Sequence, residues 1–336
     1  MRAVRFEPNG SAHVVDIPHP LPSEGDVVIR VTSTSVCGSD LAALRGTHPF
    51  RIPPLISGHE AGGVVDAIGP GVTKVAVGDR VVVEPQRPCW ECALCTDGRY
   101  HLCAKKQMLG IAEWDGSFAD YVAVPEHTLL HAPSEIPDHA LALAEPLAVA
   151  CHAVRQVRGD IRGGRHLVLG GGAIGGLIAH VLAQADPAAL VVSEPRESNH
   201  DMLRAMGATD VRSSLDGLVE EAGRFDTVFI AAGVPALAKE AFRHVESGGS
   251  IIQVAVFNVD VPIPAGELQV REIAFNGTAM YSRVDFEQAL ELLAADADTP
   301  QRIVSRRVDL EEGAEIITDM VANGPGDIIK LLMEPR

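Results

Sequence analysis

The sequence predicts an α/β protein of two domains, a β-rich domain first and a doubly wound parallel sheet after it. Three observations predict this. The chain has 336 residues, 46% of them hydrophobic, enough to bury two separate cores. Up to about Val124 it reads as short β-rich runs broken by Gly and Pro. Beyond Pro146, apolar strand-like runs alternate with segments of helical spacing, the pattern of helices packed on a parallel sheet.

In the first part the runs VVIRVTSTSV, AGGVVDAIG, DRVVVEP and FADYVAVP are strands, with turns at Pro22, Gly25, Gly69-Pro70-Gly71 and Gly78-Asp79. They suggest a compact, barrel-like β domain. The second part opens with the helix LAVACHAVRQV, the strand RHLVLG and the helix AIGGLIAHVLAQA. LVVSEP, HDMLRAMGA, DTVFIAAG, ALAKEAFRHV and SIIQVAVF continue as strand, helix, strand, helix and strand. At this pace of alternation the crossovers are right-handed. SIIQVAVF would lie near the end of the sheet, where it could pair across a two-fold axis. From about Met280 come the helix DFEQALELLAA, a strand, a helix and the last strand DIIKLLM, read as a return to the first domain. The expected division is 1–150 with 282–336, and 151–281.

Net charge is -17 and the isoelectric point about 5.1. A nucleic-acid backbone would be repelled, and no Lys/Arg run offsets this. No stretch of eighteen apolar residues suggests a membrane span, and MRAVRFEPNG has no signal-peptide core. A cytoplasmic location is expected, where thiols stay reduced and clustered cysteines read as a metal site before they read as disulfides. A small-molecule partner is compatible with this composition.

Four of the six cysteines, Cys89, Cys92, Cys95 and Cys103, fall within fifteen residues as C-x2-C-x2-C-x7-C. Two-residue gaps let neighbouring sulfurs wrap one ion, and a fourth from the end of the loop closes a tetrahedron. Such a closed site holds a lobe together and does no chemistry. Three other segments carry zinc-type ligands: Cys37 with Ser39 and Asp40, His59 with Glu60, and Glu145. Taken singly, a buried Cys is ordinary core packing, and a lone His an ordinary hydrogen-bonded residue.

LVLGGGAIGGLIAH places Gly170, Gly172 and Gly175 as G-x-G-x-x-G between an apolar strand and an apolar helix that Ala173 and Ile174 open. That context is the one in which the motif binds a dinucleotide, with the pyrophosphate at the helix N-terminus. Glu194 ends the next strand, nineteen residues beyond Gly175. A carboxylate there accepts from both adenosine ribose hydroxyls and repels a 2′-phosphate, which argues for NAD over NADP. Arg196 opposes that argument, because it could pair with a phosphate. Ala231, Ala232 and Gly233 end another strand, where small residues leave room for the cofactor.

Gly58-His59-Glu60, Gly63, Gly69 and Val72, followed by the four-cysteine loop and the glycine motif, resemble the zinc-containing medium-chain dehydrogenase/reductase superfamily over essentially the whole chain. Glu145-Pro146 resembles its polyol-dehydrogenase branch. The resemblance implies a GroES-like catalytic domain and a Rossmann cofactor domain. It also implies a structural zinc on the four cysteines and a catalytic zinc on Cys37, His59 and Glu145, with Glu60 beside the metal. Cys151 reads as core. The implied reaction interconverts a polar secondary alcohol (polyol, cyclitol or sugar-derived) and its ketone by hydride transfer to the nicotinamide. Ser39 is the implied first proton relay and Asp40 a group orienting a ligand. Relatives carry a relay His or a substrate-side Tyr where this chain has Ala42 and Ala43, so His48 is the substitute for the end of the relay. Relatives also carry a later basic residue near the cofactor where this chain has Asn199. A homodimer or homotetramer is implied. Three other readings are a zinc-free reductase on the same fold, a dehydrogenase of primary or simple alcohols, and a cofactor-sensing protein without turnover.

Overall fold

The computed structural model describes residues 1–335. It divides into two units, 1–145 with 282–297 and 304–336, and 146–281 with 298–303. The break falls in the first turn of the helix Ala144–Arg155, earlier than a boundary at 150. The short helix Asp298–Gln301 packs with the second unit, against the helix Ala173–Ala183.

The first unit is built on a seven-stranded sheet. Its order is Leu129–His131, Arg80–Val83, Glu60–Ile68, Asp26–Ser35, Lys330–Met333 and Val304–Val308, with Tyr121–Pro125 also on Asp26–Ser35. Asp26–Ser35 is the hub. Its first half pairs with Tyr121–Pro125, its end with Lys330–Met333, and nearly its full length with Glu60–Ile68, all antiparallel. Covered on both sides, it does not alternate in and out: Val27, Val28, Ile29, Val31, Ser33, Thr34 and Ser35 are all buried. Val27, Ile29, Val31, Val65, Val81, Val83, Val122 and Val124 form one core. A second core gathers Phe6, Leu44, Phe118, Leu310, Ile317 and Met333. The helix Leu310–Asn323 lies over it and starts where Asp309 accepts the Glu312 amide at 3.0 Å.

The second unit holds six parallel strands in the order Asp210–Arg212, Ala189–Ser193, Arg165–Leu169, Phe225–Ile230, Val245–Gln253, Ala274–Gly277. The chain winds outward in both directions from Arg165–Leu169, so the switch point where such sheets bind ligands lies at that strand's C-terminal end. The strand that contains Ser250–Gln253 is not the edge. The short strand Ala274–Gly277 takes its outer hydrogen-bonding side, which corrects the expectation that SIIQVAVF is free to pair across a two-fold axis. Among the described residues no helix is long and apolar enough to cross a membrane.

Candidate metal and cofactor sites

The antiparallel register of the first sheet assembles the candidate catalytic site from three distant pieces of chain. Ser35 pairs with Glu60 on one side and with Leu332 on the other. The central strand ends at Ser35, and Cys37 follows two residues later. The neighbouring strand begins at Glu60, just after His59. The last strand begins at Lys330, two residues before Leu332 and so opposite Cys37. Cys37, His59 and Glu60 offer ligand atoms that all lie within 4.8 Å of one another. Gly58 permits the close turn into this cluster. Its φ is +100°, and a Cβ there would lie 2.4 Å from the Phe118 ring.

Asp40 organises this cluster from behind. It is fully buried on the first turn of the helix Gly38–Leu44. Its Oδ2 accepts the Cys37 amide at 2.9 Å, and its Oδ1 accepts from the Ser57 hydroxyl at 2.6 Å and Arg51 Nη1 at 2.8 Å. The His59 Nδ1 atom lies 3.5 Å from the same oxygen. Burial works against its charge, but His59, Arg51 and Ser57 together hold the Asp40 carboxyl well below the usual range. For His59, burial and Arg51 act to lower its pKa, while Asp40 and Cys37 prevail and raise it to about 10. A carboxylate near Nδ1, together with a bond to the Cys37 thiol, orients an imidazole as a metal ligand. Sequence reasoning placed Asp40 in this role but gave none to Arg51 or Ser57.

Lys330 was missed altogether. It is buried, and Nζ donates to both Glu60 oxygens at 2.8 and 2.7 Å and to the Val36 carbonyl at 3.2 Å. Burial lowers its pKa, but Glu60, Cys37 and Glu145 raise it further. Ser35 also donates to Glu60. Glu60 is thus anchored by the chain itself. Glu145 is buried on the first turn of its helix, within electrostatic reach of Lys330 but outside the converging trio. Ser39 is half-buried on the helix Gly38–Leu44. His48 is engaged by its own loop: its Nδ1 accepts the amides of Phe50 at 3.1 Å and Arg51 at 3.0 Å. Burial, then Arg51, keeps its pKa below the ordinary histidine value. Cys151 is buried in the second unit.

The four cysteines form the second cluster. Cys89 and Cys95 sulfurs are 3.9 Å apart, Cys92 and Cys95 3.5 Å, and Cys103 and Cys89 3.5 Å. A tetrahedron of sulfurs about 2.3 Å from zinc has edges of about 3.8 Å, whereas a disulfide brings sulfurs to about 2.05 Å. The spacing fits a tetrathiolate metal site, and all six cysteines are free of disulfides. Backbone hydrogen bonds, first that of Cys89, hold the Cys103 thiol at about 6, and burial pushes Cys95 to about 12.

In the second unit Gly170 has φ +106°, and a Cβ on Gly175 would sit 1.8 Å from the Gly170 carbonyl oxygen. Gly172 differs: a Cβ there meets nothing within 4 Å. It caps the eleven-residue helix that begins at Ala173 and Ile174, leaving clear space before a helix N-terminus. Glu194 is buried, and its Oε2 accepts the Gly171 amide at 2.9 Å. Its Oε1 accepts the Arg196 amide at 3.0 Å and Arg196 Nε at 3.3 Å. Ala232 packs against Gly170, and Gly233 is exposed beyond it. Asn199 is buried.

The chain matches the model of the alcohol dehydrogenase GroES-like domain over residues 23–134 and that of zinc-binding dehydrogenases over 174–295. It is 32% identical over 342 residues to a 2-dehydro-3-deoxy-L-galactonate 5-dehydrogenase of Pseudoalteromonas atlantica, covering 99% of this chain and 98% of that one. It is 30% identical over 318 residues to a D-altritol 5-dehydrogenase of Agrobacterium fabrum, covering 93% and 94%. A solved zinc-binding dehydrogenase of Sinorhizobium meliloti bound to NADP superposes with a TM-score of 0.92 at 30% identity over 99% of both chains. With the two metal-ligand clusters and the glycine loop in place, the chain belongs to the zinc-binding alcohol dehydrogenases of the medium-chain dehydrogenase/reductase superfamily and is an oxidoreductase.

Proposed function

We propose that the chain is an NAD-dependent dehydrogenase of polyols or sugar-derived secondary alcohols, working at a zinc held by Cys37, His59 and Glu145. The convergence of Cys37 and His59, with Asp40 behind the imidazole, carries this reading. Zinc there supplies a Lewis acid that makes a bound alcohol more acidic, and the nicotinamide supplies the hydride acceptor. Asp40 fixes the His59 ring and, through its amide, the Cys37 backbone. Glu60, tied to Lys330, stands beside the metal ligands. Ser39, two residues after Cys37, is the proposed first proton acceptor, with His48 beyond it.

NAD is favoured because Arg196 is turned onto Glu194 and so is drawn away from a 2′-phosphate. Substrate class rests on the two curated relatives, one named for a sugar acid and one for a polyol. Exposed Val256, Val259 and Val270, close in sequence to the edge strand Ala274–Gly277, favour a homodimer or homotetramer built through that edge. The test is metal analysis with a panel of polyols, sugar acids and simple primary alcohols, following reduced nicotinamide with NAD and with NADP. Two zincs per chain and turnover of a secondary alcohol, faster with NAD, are expected. One zinc per chain, or two zincs with no alcohol oxidised, sinks the reading.

A further inference from the structure

The first unit contains a cavity of about 640 Å³ whose walls include Phe50, Arg87, Lys106, Met108, Ile111 and Trp114. Its wall also includes Cys103 of the four-cysteine cluster, and two residues beside the wall, Arg51 and Gly110, connect it to the candidate catalytic cluster. Phe50 belongs to the loop that His48 holds. The next residue, Arg51, reaches Asp40 and also donates to the Leu109 carbonyl at 3.4 Å. Gly110, between the wall residues Met108 and Ile111, packs so closely on Gly58 that a Cβ would meet the Gly58 carbonyl at 3.1 Å. Gly58 precedes His59.

The charge of this cavity is at odds with the rest of the molecule. The chain carries a net charge of -17, and its buried cations are matched to carboxylates: Arg51 to Asp40, Lys330 to Glu60. Arg87 and Lys106 are half-buried. Among the described residues, neither hydrogen-bonds or ion-pairs with a carboxylate. Arg87 Nε is buried with no hydrogen-bond partner. The Arg87 guanidinium carbon lies over the Trp114 ring, 4.2 Å from its centre, a contact that holds the group without using its donors. The two cations are neighbours by construction. Arg87 pairs with Gln107 across a two-stranded ribbon, and Lys106 comes just before Gln107. One carboxylate, that of exposed Glu113, belongs to the lining. Burial depresses the pKa of both cations, against the opposing pull of Asp26 on Arg87 and of Cys103 on Lys106, and that remaining cost is one a ligand anion would offset.

We propose that this cavity seats the anionic end, a carboxylate or a phosphate, of a polyhydroxy substrate whose carbinol is presented to the neighbouring metal cluster, with Arg87 as the specificity-determining residue. The planar guanidinium offers paired donors that match either anion. Trp114 backs the guanidinium, and Lys106 adds a point charge. This inference rests on the dehydrogenase reading above.

The zinc-loaded protein is tested with three polyhydroxy substrates of equal chain length: a neutral alditol, its aldonate and its phosphate monoester. Each is assayed on the wild type, Arg87→Gln, Arg87→Lys and Lys106→Met. One or both anionic substrates should exceed the neutral one in kcat/KM by about tenfold or more, the size of one charged hydrogen-bonded contact. Arg87→Gln should erase that preference mainly through KM, and Arg87→Lys should restore part of it. Which anion is preferred separates carboxylate from phosphate. A neutral alditol used as well as both anions, or a preference that survives Arg87→Gln, overturns the inference while leaving the dehydrogenase reading intact. If nothing is oxidised, calorimetric titration with the aldonate and the phosphate monoester still decides. Binding of either that is lost in Arg87→Gln supports the seat, and binding of neither overturns it.

Discussion

At the scale of single residues, the candidate catalytic cluster turns on one buried ion pair. Cys37 and the Glu60 carboxylate meet at one cluster, with Glu145 buried nearby. Lys330 sets a cation among them and bonds both Glu60 oxygens. Breaking a buried pair by removing one partner costs about 3–5 kcal/mol, because the other charge stays behind unpaired. Lys330→Met is therefore expected to lose stability on that scale in urea unfolding of the zinc-loaded protein. Removing both charges, with Glu60→Leu and Lys330→Met together, should cost less than the single change. A double change that costs the sum of the two singles would show that the pair is not coupled. The sequence hid this residue. In DIIKLLM a lone Lys reads as the solvent-facing position of a closing strand. Only the pairing of Leu332 with Ser35, across almost three hundred residues, brings it to Cys37. Asp40 was legible because it sits three residues from Cys37, whereas its partners Arg51 and Ser57 carry no local signal.

At the scale of elements, the glycine loop shows how one motif contains residues with different duties. A Cβ on Gly175 would collide with the Gly170 carbonyl, while a Cβ on Gly172 meets only open space. Gly175→Ala should therefore destabilise the second unit, by the 1–3 kcal/mol typical of overpacking or more. Gly172→Ala should leave the melting temperature unchanged and raise KM for the dinucleotide at least several-fold, because its methyl obstructs only the bound pyrophosphate. Equal effects of the two changes on melting temperature would mean that the open space before the helix is not a ligand site. This loop and the four-cysteine lobe were readable because each is contiguous. Their chemistry is encoded in spacings of two to seven residues, which local turns convert directly into geometry. The edge of the parallel sheet was not readable, because SIIQVAVF looks like a terminal strand until Ala274–Gly277, four residues long and only half-buried, takes the place beside it. The candidate ligands Cys37 and His59 fall between these cases. The residue types are visible, but their meeting depends on sheet register.

At the scale of the whole molecule, the buried titratable groups define a stability profile with two flanks. Lys330 has its pKa raised in the folded state, so its contribution is complete below the unfolded value near 10.4 and is lost as pH rises through the folded one. Asp40 is lowered, so its contribution is present above about 3.9 and lost as pH falls. His166 acts earlier on the acid side. It is 1% exposed in the second unit, with Nε2 2.9 Å from the Ile161 carbonyl oxygen and Nδ1 buried without a partner. Burial first, opposed by the Ile161 bond and Asp226, lowers its pKa. Below about 6.5 the unfolded chain takes up a proton that the folded chain refuses, so stability falls as pH falls from that value toward the folded pKa. Each unit of depression corresponds to about 1.4 kcal/mol. Protons also compete with zinc for thiolates and imidazole over the same range, so two causes must be separated. His166→Gln keeps a donor for the Ile161 carbonyl but cannot titrate. Urea midpoints measured from pH 8 down to about 5 with excess zinc should fall for the wild type and stay flatter for His166→Gln. Parallel curves for the two proteins would assign the acid flank to the metal ligands of the first unit.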